Sequence, residues 1–191
     1  QKGIDIWNYQ MQRAFERKGL TADDKKIADA LVNKINNAYL HSTDINTIQT
    51  EIKTTYADWK KNVSDSKEKE LLAAPGPEAF LKFSNTLSNG LAWLQYFMLY
   101  DPAPNLSKLK IPVLAVNGEA DIQIAATENL PLIEAALKKG GNKKYTIKSL
   151  PHLNHLFQTT TANDQSYDKI EETFSPVALN YITQWIKTQV K

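Results

Sequence analysis

Apolar positions in the first hundred residues recur at helical spacing. Ile4, Trp7, Met11, Ala14 and Phe15 fall three or four apart, and Gly19 follows as a stop. Thr21 stands three residues before Asp24, close to the spacing of a capping box, and opens the next stripe, Ile27, Leu31, Ile35 and Ala38. Asp44 can cap a third helix whose face is Ile45, Ile48, Ile52, Tyr56 and Trp59. The stretch SDSKEKE that follows reads as charged and mobile, and Pro-Gly-Pro at 75–77 reads as a breaker. Two more apolar segments, EAFLKFSNTL and LAWLQYFMLY, are separated near Asn89-Gly90.

After Tyr100 the pattern changes. DPAPNLSKLK is a proline-punctuated connector, and IPVLAVNG is a short continuous apolar run ended by Asn-Gly, the signature of a buried parallel strand. Pro131 predicts the opening of a helix that runs to Lys139 and stops at Gly140-Gly141. KKYTIKSL alternates and reads as a second strand. Ser175-Pro176 predicts a helix start, and Val177, Ala178, Tyr181, Ile182, Trp185 and Ile186 its core-facing stripe. Strand, helix, strand, helix predicts an α/β fold with right-handed crossovers on a parallel sheet. No internal repeat is visible.

Composition narrows this little. The 191 residues are 42% hydrophobic, enough for one ordinary domain or a domain with a small attachment. With 23 basic and 21 acidic residues the formal charge is +2, which supplies no field for nucleic acid or a membrane surface. Apolar runs are too short to span a bilayer. The absence of cysteine excludes disulfides, Cys nucleophiles and thiolate metal sites. The first residue is Gln, from which we expect a processed or trimmed chain or part of a longer one, and the two features together lean towards an exported bacterial protein.

In open α/β sheets, ligands gather at the carboxyl ends of the strands. Asp121, in NGEAD, follows the first predicted strand, and His155, in LNHLF, follows the second. Singly, the Asp reads as a turn residue and the His as a solvated or structural one. Together, on successive strand ends, they read as the base and orienter of a nucleophilic triad, because a carboxylate beside an imidazole fixes its tautomer and stabilises the imidazolium. Such a pair should lie within about 2.6–3.2 Å, a contact for which a mere binding module has no need. His152 and His155 form an H-x-x-H pair that invites a zinc reading. The third histidine, His41, is far away in the helical part, so no metal site is expected, and His152 reads as a loop residue beside the working one. Trp93, Tyr96, Phe97 and Tyr100 read as packing between layers. The alternative is that Trp93, Tyr96 and Phe97 line an apolar acyl pocket.

YDPAPNLSKLKIPVLAVNGEADIQI, then ENLPLIEAALKKGGNKKYTIKSLPHLNHLFQ and EETFSPVALNYITQWI, resemble the C-terminal half of α/β-hydrolase-fold serine esterases. These are bacterial serine-peptidase-like hydrolases with a helical lid. The resemblance implies that residues 96–191 are the C-terminal part of the hydrolase core, with an incomplete sheet, and that residues 1–95 occupy the place of the lid. It places the triad acid on Asp121 and the triad base on His155, and implies no cofactor. At His152 relatives tend to carry Gly.

This fold sets its serine on a G-x-S-x-G elbow, before the acid and the His. The chain has nine serines and seven glycines but no such motif; Ser88 lacks a Gly two residues earlier. The expectation is therefore a hydrolase part that supplies acid and base, with the nucleophile and oxyanion-hole half lost or on another chain, and no activity alone. The substrate of the whole would be a small ester or acyl compound. The expected partner is the missing N-terminal half, or a second copy, covering the exposed sheet edge. The competing reading is a non-catalytic helical binding module on an α/β base. A haloalkane-type or lactonase activity on the same fold would need the same absent nucleophile.

Overall fold

The computed structural model describes residues 1–72, 76–87, 90–160 and 167–190. Part of the predicted breaker (Pro75), Ser88 and Asn89 lie outside the described residues. The fold is mixed α/β and mostly helical, with a two-stranded parallel sheet. It divides into two compact units, Met11–Tyr100 and Gln1–Gln10 with Asp101–Lys191. The first helix, α1 (Gly3–Arg17), runs from one unit into the other.

The unit Met11–Tyr100 is helical: α2 (Ala22–His41), α3 (Ile45–Lys60), α4 (Asp65–Leu71), α5 (Glu78–Leu87) and α6 (Leu91–Leu99). Its core holds Phe15, Leu31, Ile35, Ile48, Ile52 and Leu71. Fully burying one such side chain stabilises by about 1.5–3 kcal/mol, so the predicted stripes are what hold these helices together. The capping box at Thr21 forms in both directions, and Asp44 accepts from the amides of Asn46 and Thr47. Ile27, expected in the stripe of α2, is exposed instead.

The segment expected to be mobile is ordered as α4. The Ser64 hydroxyl accepts from the Lys67 amide and starts the helix. Most of its charges then pair. Glu68 is buried, with Lys60 Nζ 3.3 Å from one oxygen, while the other accepts from the Tyr56 hydroxyl and from the Gly76 amide at 2.6 Å. Lys67 pairs with the buried Asp24. A run of charges read as a solvated segment is here the lock of a short helix.

Burial pushes the Glu68 carboxyl up, but the bonds from Tyr56, Gly76 and Lys60 outweigh it and hold the group below the ordinary glutamate value. Asp24 is held low first by the hydrogen bond from Lys67 and then by that from Thr21. Carboxyls depressed in the folded state contribute stability above their unfolded-chain values and lose it as pH falls through the folded ones. The thermal midpoint followed by circular dichroism should therefore drop as pH falls from about 5 to about 3. Glu68→Gln should cost about 2–3 kcal/mol at neutral pH and make the acid loss shallower. An equally steep loss in Glu68→Gln would remove Glu68 from the cause.

The other unit carries α7 (Ala103–Leu106), β1 (Val113–Gly118), α8 (Ala126–Lys139), β2 (Tyr145–Leu150) and α9 (Pro176–Gln189). Strands β1 and β2 pair in parallel, from Val113 opposite Tyr145 to Gly118 opposite Leu150. Their carboxyl ends thus finish at one level, and the segments after Gly118 and Leu150 leave the sheet side by side. Leu150 and Leu153 pack with Ala178 of α9, and Val116, Phe157, Phe174 and Tyr181 close around them.

Two expectations are corrected here. Helix α8 begins at Ala126, five residues before Pro131, which lies inside it. The first turn is already closed by Glu128 and Asn129 amides donating to the Ala125 carbonyl, and burying Ala126 and Leu130 requires that earlier start. Pro131 lacks the amide that would bond back to the preceding turn, and its ring crowds the carbonyl four residues earlier, costs that the burial along α8 offsets. The stripe of α9 is only partly covered: Ala178 is buried, whereas Val177 and Ile186 are exposed. Among the described residues no helix is long and apolar enough to cross a membrane.

Candidate functional site

The paired ends of β1 and β2 bring Asp121 and His155 together. His155 Nδ1 lies 2.9 Å from Asp121 Oδ2, with the Asp side chain 4% exposed and the His side chain 32% exposed. Three further donors hold the carboxylate. Asp121 Oδ1 accepts from the amides of Gln123 at 2.8 Å and Ile124 at 2.9 Å, and Oδ2 accepts from Asn117 Nδ2 at 3.0 Å. A carboxylate can only accept, so the shared proton belongs to His155 Nδ1, and the lone pair of the neutral ring lies on Nε2. Nε2 has no hydrogen-bond partner among the described residues. The arrangement can therefore take a proton at Nε2 and stabilise the imidazolium that results.

The loop that carries His155 is built by its own backbone and by one amide side chain. Ala120 N–H donates to the Leu153 carbonyl at 3.0 Å, and Glu119 N–H donates to the Leu150 carbonyl at 2.9 Å, so the two strand ends are stitched across. Asn154 is buried; its Oδ1 accepts from the amides of Leu156 and Gln158, both at 2.9 Å, while its Nδ2 donates to Gln158 Oε1 at 2.9 Å. His152 and Phe157 both take positive φ, 59° and 57°. The left-handed region costs a non-glycine residue roughly 1–2 kcal/mol, which the surrounding bonds offset. Ser175, the buried cap of α9, donates its amide to the Phe157 carbonyl at 2.8 Å and ties the far end of the loop down.

The remaining candidates are described each within its own unit. His152 lies three residues before His155, and among the described residues no group of three His, Asp or Glu is placed to hold a metal ion. His41 is exposed, its Nδ1 2.9 Å from the Asn37 carbonyl of its own helix. Trp93, Tyr96 and Phe97 do not pack between layers: Trp93 is 65% and Tyr96 66% exposed, and Phe97 is exposed as well. Trp93 and Phe97 stack on each other with ring centroids 5.5 Å apart, as do Tyr96 and Tyr100 at 5.3 Å. Within their own unit they do not line the cavity of about 530 Å³ beside Ile27 and Trp59.

Sequence reasoning passed over Asn117, Asn154 and Ser175 as site residues. A signal exists for Asn154: it is the one amide side chain in LPHLNHLF, directly before His155. In the sequence Asn117 reads as half of a turn dipeptide. Compared with known proteins, the chain matches no family model, no curated protein and no solved structure.

Proposed function

We propose that the chain carries the acid and the base of an α/β-hydrolase-fold serine esterase, Asp121 and His155, and that the nucleophilic serine lies outside these 191 residues. The observation that carries the reading is the 2.9 Å contact at the carboxyl ends of adjoining parallel strands, with Nε2 of His155 unpartnered among the described residues. Further support comes from His152, whose left-handed backbone occupies the position where the resembled family tends to carry Gly. A parallel sheet is ordinarily covered on both faces and extended by further strands, so two strands with an incompletely covered α9 fit a polypeptide that other strands complete.

In that reaction the serine hydroxyl attacks an ester carbonyl while its proton passes to His155 Nε2. The imidazolium, steadied by Asp121, then gives that proton to the leaving alkoxide. Water repeats the cycle on the acyl-enzyme, and the carboxylic acid leaves.

The isolated chain should hydrolyse p-nitrophenyl butyrate no faster than free imidazole at matched concentration. Faster hydrolysis that disappears in His155→Ala would overturn the placing of the nucleophile. In the complete hydrolase, a fluorophosphonate probe should label one serine N-terminal to these residues. A complete protein that hydrolyses esters yet labels no serine would overturn the reaction class.

The exposed aromatic face of α6 favours a second reading, in which the helical unit is a binding module. Large aromatics bared in a cluster are a common feature of recognition surfaces. Under that reading His155→Ala leaves function untouched, whereas Trp93→Ala abolishes it.

A further inference from the structure

We propose that Asn117 and Asn129 form an amide relay that sets the orientation of Asp121 and, through it, the proton position on His155. The proposal rests on reading Asp121 and His155 as an acid–base pair. Asn117 stands on β1 and is buried; Asn129 stands in the first turn of α8. The two hydrogens of Asn117 Nδ2 meet two acceptors, Asp121 Oδ2 at 3.0 Å and the Ile124 carbonyl at 3.1 Å. Neither acceptor can donate, so chemistry and not shape decides which way this amide faces. Its oxygen then points the other way and accepts from Asn129 Nδ2 at 3.0 Å.

Every polar atom of the Asn117 side chain is thereby engaged. A flipped amide would set an oxygen against a carboxylate and a carbonyl in a buried place, where water offers no substitute. Asn129 holds the other end of the amide and so opposes the flip.

The relay acts on the oxygen that matters. Asp121 Oδ1 is fixed by the Gln123 and Ile124 amides, and Oδ2 is the oxygen that receives His155 Nδ1. Without Asn117, Oδ2 has the imidazole as its one remaining partner among the described residues, so the carboxylate is anchored at Oδ1 alone and Oδ2 can swing about that anchor. The imidazole then loses the fixed acceptor that keeps its proton on Nδ1. Among the described residues neither Asn117 nor Asn129 hydrogen-bonds to the ring, and both are positioning residues. They also couple the start of α8 to the acid, a link that Asp121 and His155 alone do not reveal.

The test is imidazole nitrogen chemical shifts in the 191-residue chain labelled with ¹⁵N-histidine at neutral pH, in wild type, N117L and N129A. The wild type should show His155 as a single Nδ1–H tautomer. N117L should show shifts averaged between the two tautomers, and N129A should move the same way by less. A merely structural role would lower the thermal midpoint and leave the tautomer in place. If N117L fails to fold, N129A decides, because alanine suits its helical position and removes only the amide. Folded variants that keep the single Nδ1–H tautomer overturn the relay and leave the acid–base pair standing. A wild type without that tautomer overturns the pair and the relay with it.

Discussion

If the chain supplies the acid and base of a serine esterase as proposed, Asp121→Asn should lower kcat of the complete enzyme about ten-thousand-fold, with a far smaller change in KM. The surroundings of the side chain dictate how this happens. The amides of Gln123 and Ile124 donate to Oδ1 and require an oxygen there, so the new amide nitrogen takes the place of Oδ2. It then donates to His155 Nδ1, which must become the acceptor. The ring proton moves to Nε2, the atom that has to receive the proton of the nucleophile. The same amide nitrogen also meets Asn117 Nδ2, donor against donor, which weakens the clamp further. Steady-state kinetics on a short-chain ester measure the effect, and a loss of less than about tenfold would remove Asp121 from the reaction as the orienting acid.

Gly118→Ala is expected to damage both the fold of the α/β unit and the contact between Asp121 and His155. A Cβ there would lie 2.2 Å from the Leu153 carbonyl oxygen and 2.5 Å from that of Asn154. Both are backbone atoms with assigned duties: the first accepts from the Ala120 amide, and the second from the Phe157 amide at 3.0 Å. Neither can step aside as a flexible side chain would. The strand end and the His loop must separate, at a cost of about 3 kcal/mol. The same separation carries His155 away from Asp121. Urea unfolding should show the lower midpoint, and the His155 Nδ1–H signal should be lost in whatever folded protein remains. An unchanged midpoint would mean that this strand end and this loop do not approach so closely.

Legibility in the sequence followed the range of the interactions. Helices α2 and α3 were readable because their caps lie within three residues of Thr21 and Asp44 and their stripes within a few turns. The two strands were readable from a continuous apolar run and an alternating one. Asp121 and His155 were readable because each sits just past a strand end, where a parallel sheet gathers its loops. Helix α4 was not, since its order comes from Tyr56, Lys60 and Asp24, partners outside the segment. The start of α8 was not, since Pro131 is a strong local signal that the burial of Ala126 and Leu130 overrules. The amide relay was invisible for the same reason: Asn117 and Asn129 acquire their meaning only when α8 lies against the end of β1. The aromatic group on α6 was readable as a group, but its exposure depends on what else the fold brings to that face.

The cap of α9 has a bearing on how steadily the base is held. Ser175 starts that helix by accepting from the Val177 amide, and in the same place its own amide secures the loop behind His155, while its hydroxyl lies 3.3 Å from that of Thr159. Fraying of the first turn of α9 and release of the imidazole are therefore one opening event with one free energy. The amides of Ser175, Leu179 and Phe157 should share a single protection factor in hydrogen exchange. If His155 is the base proposed here, the fraction of molecules able to act at any instant is then set by the opening of a helix end.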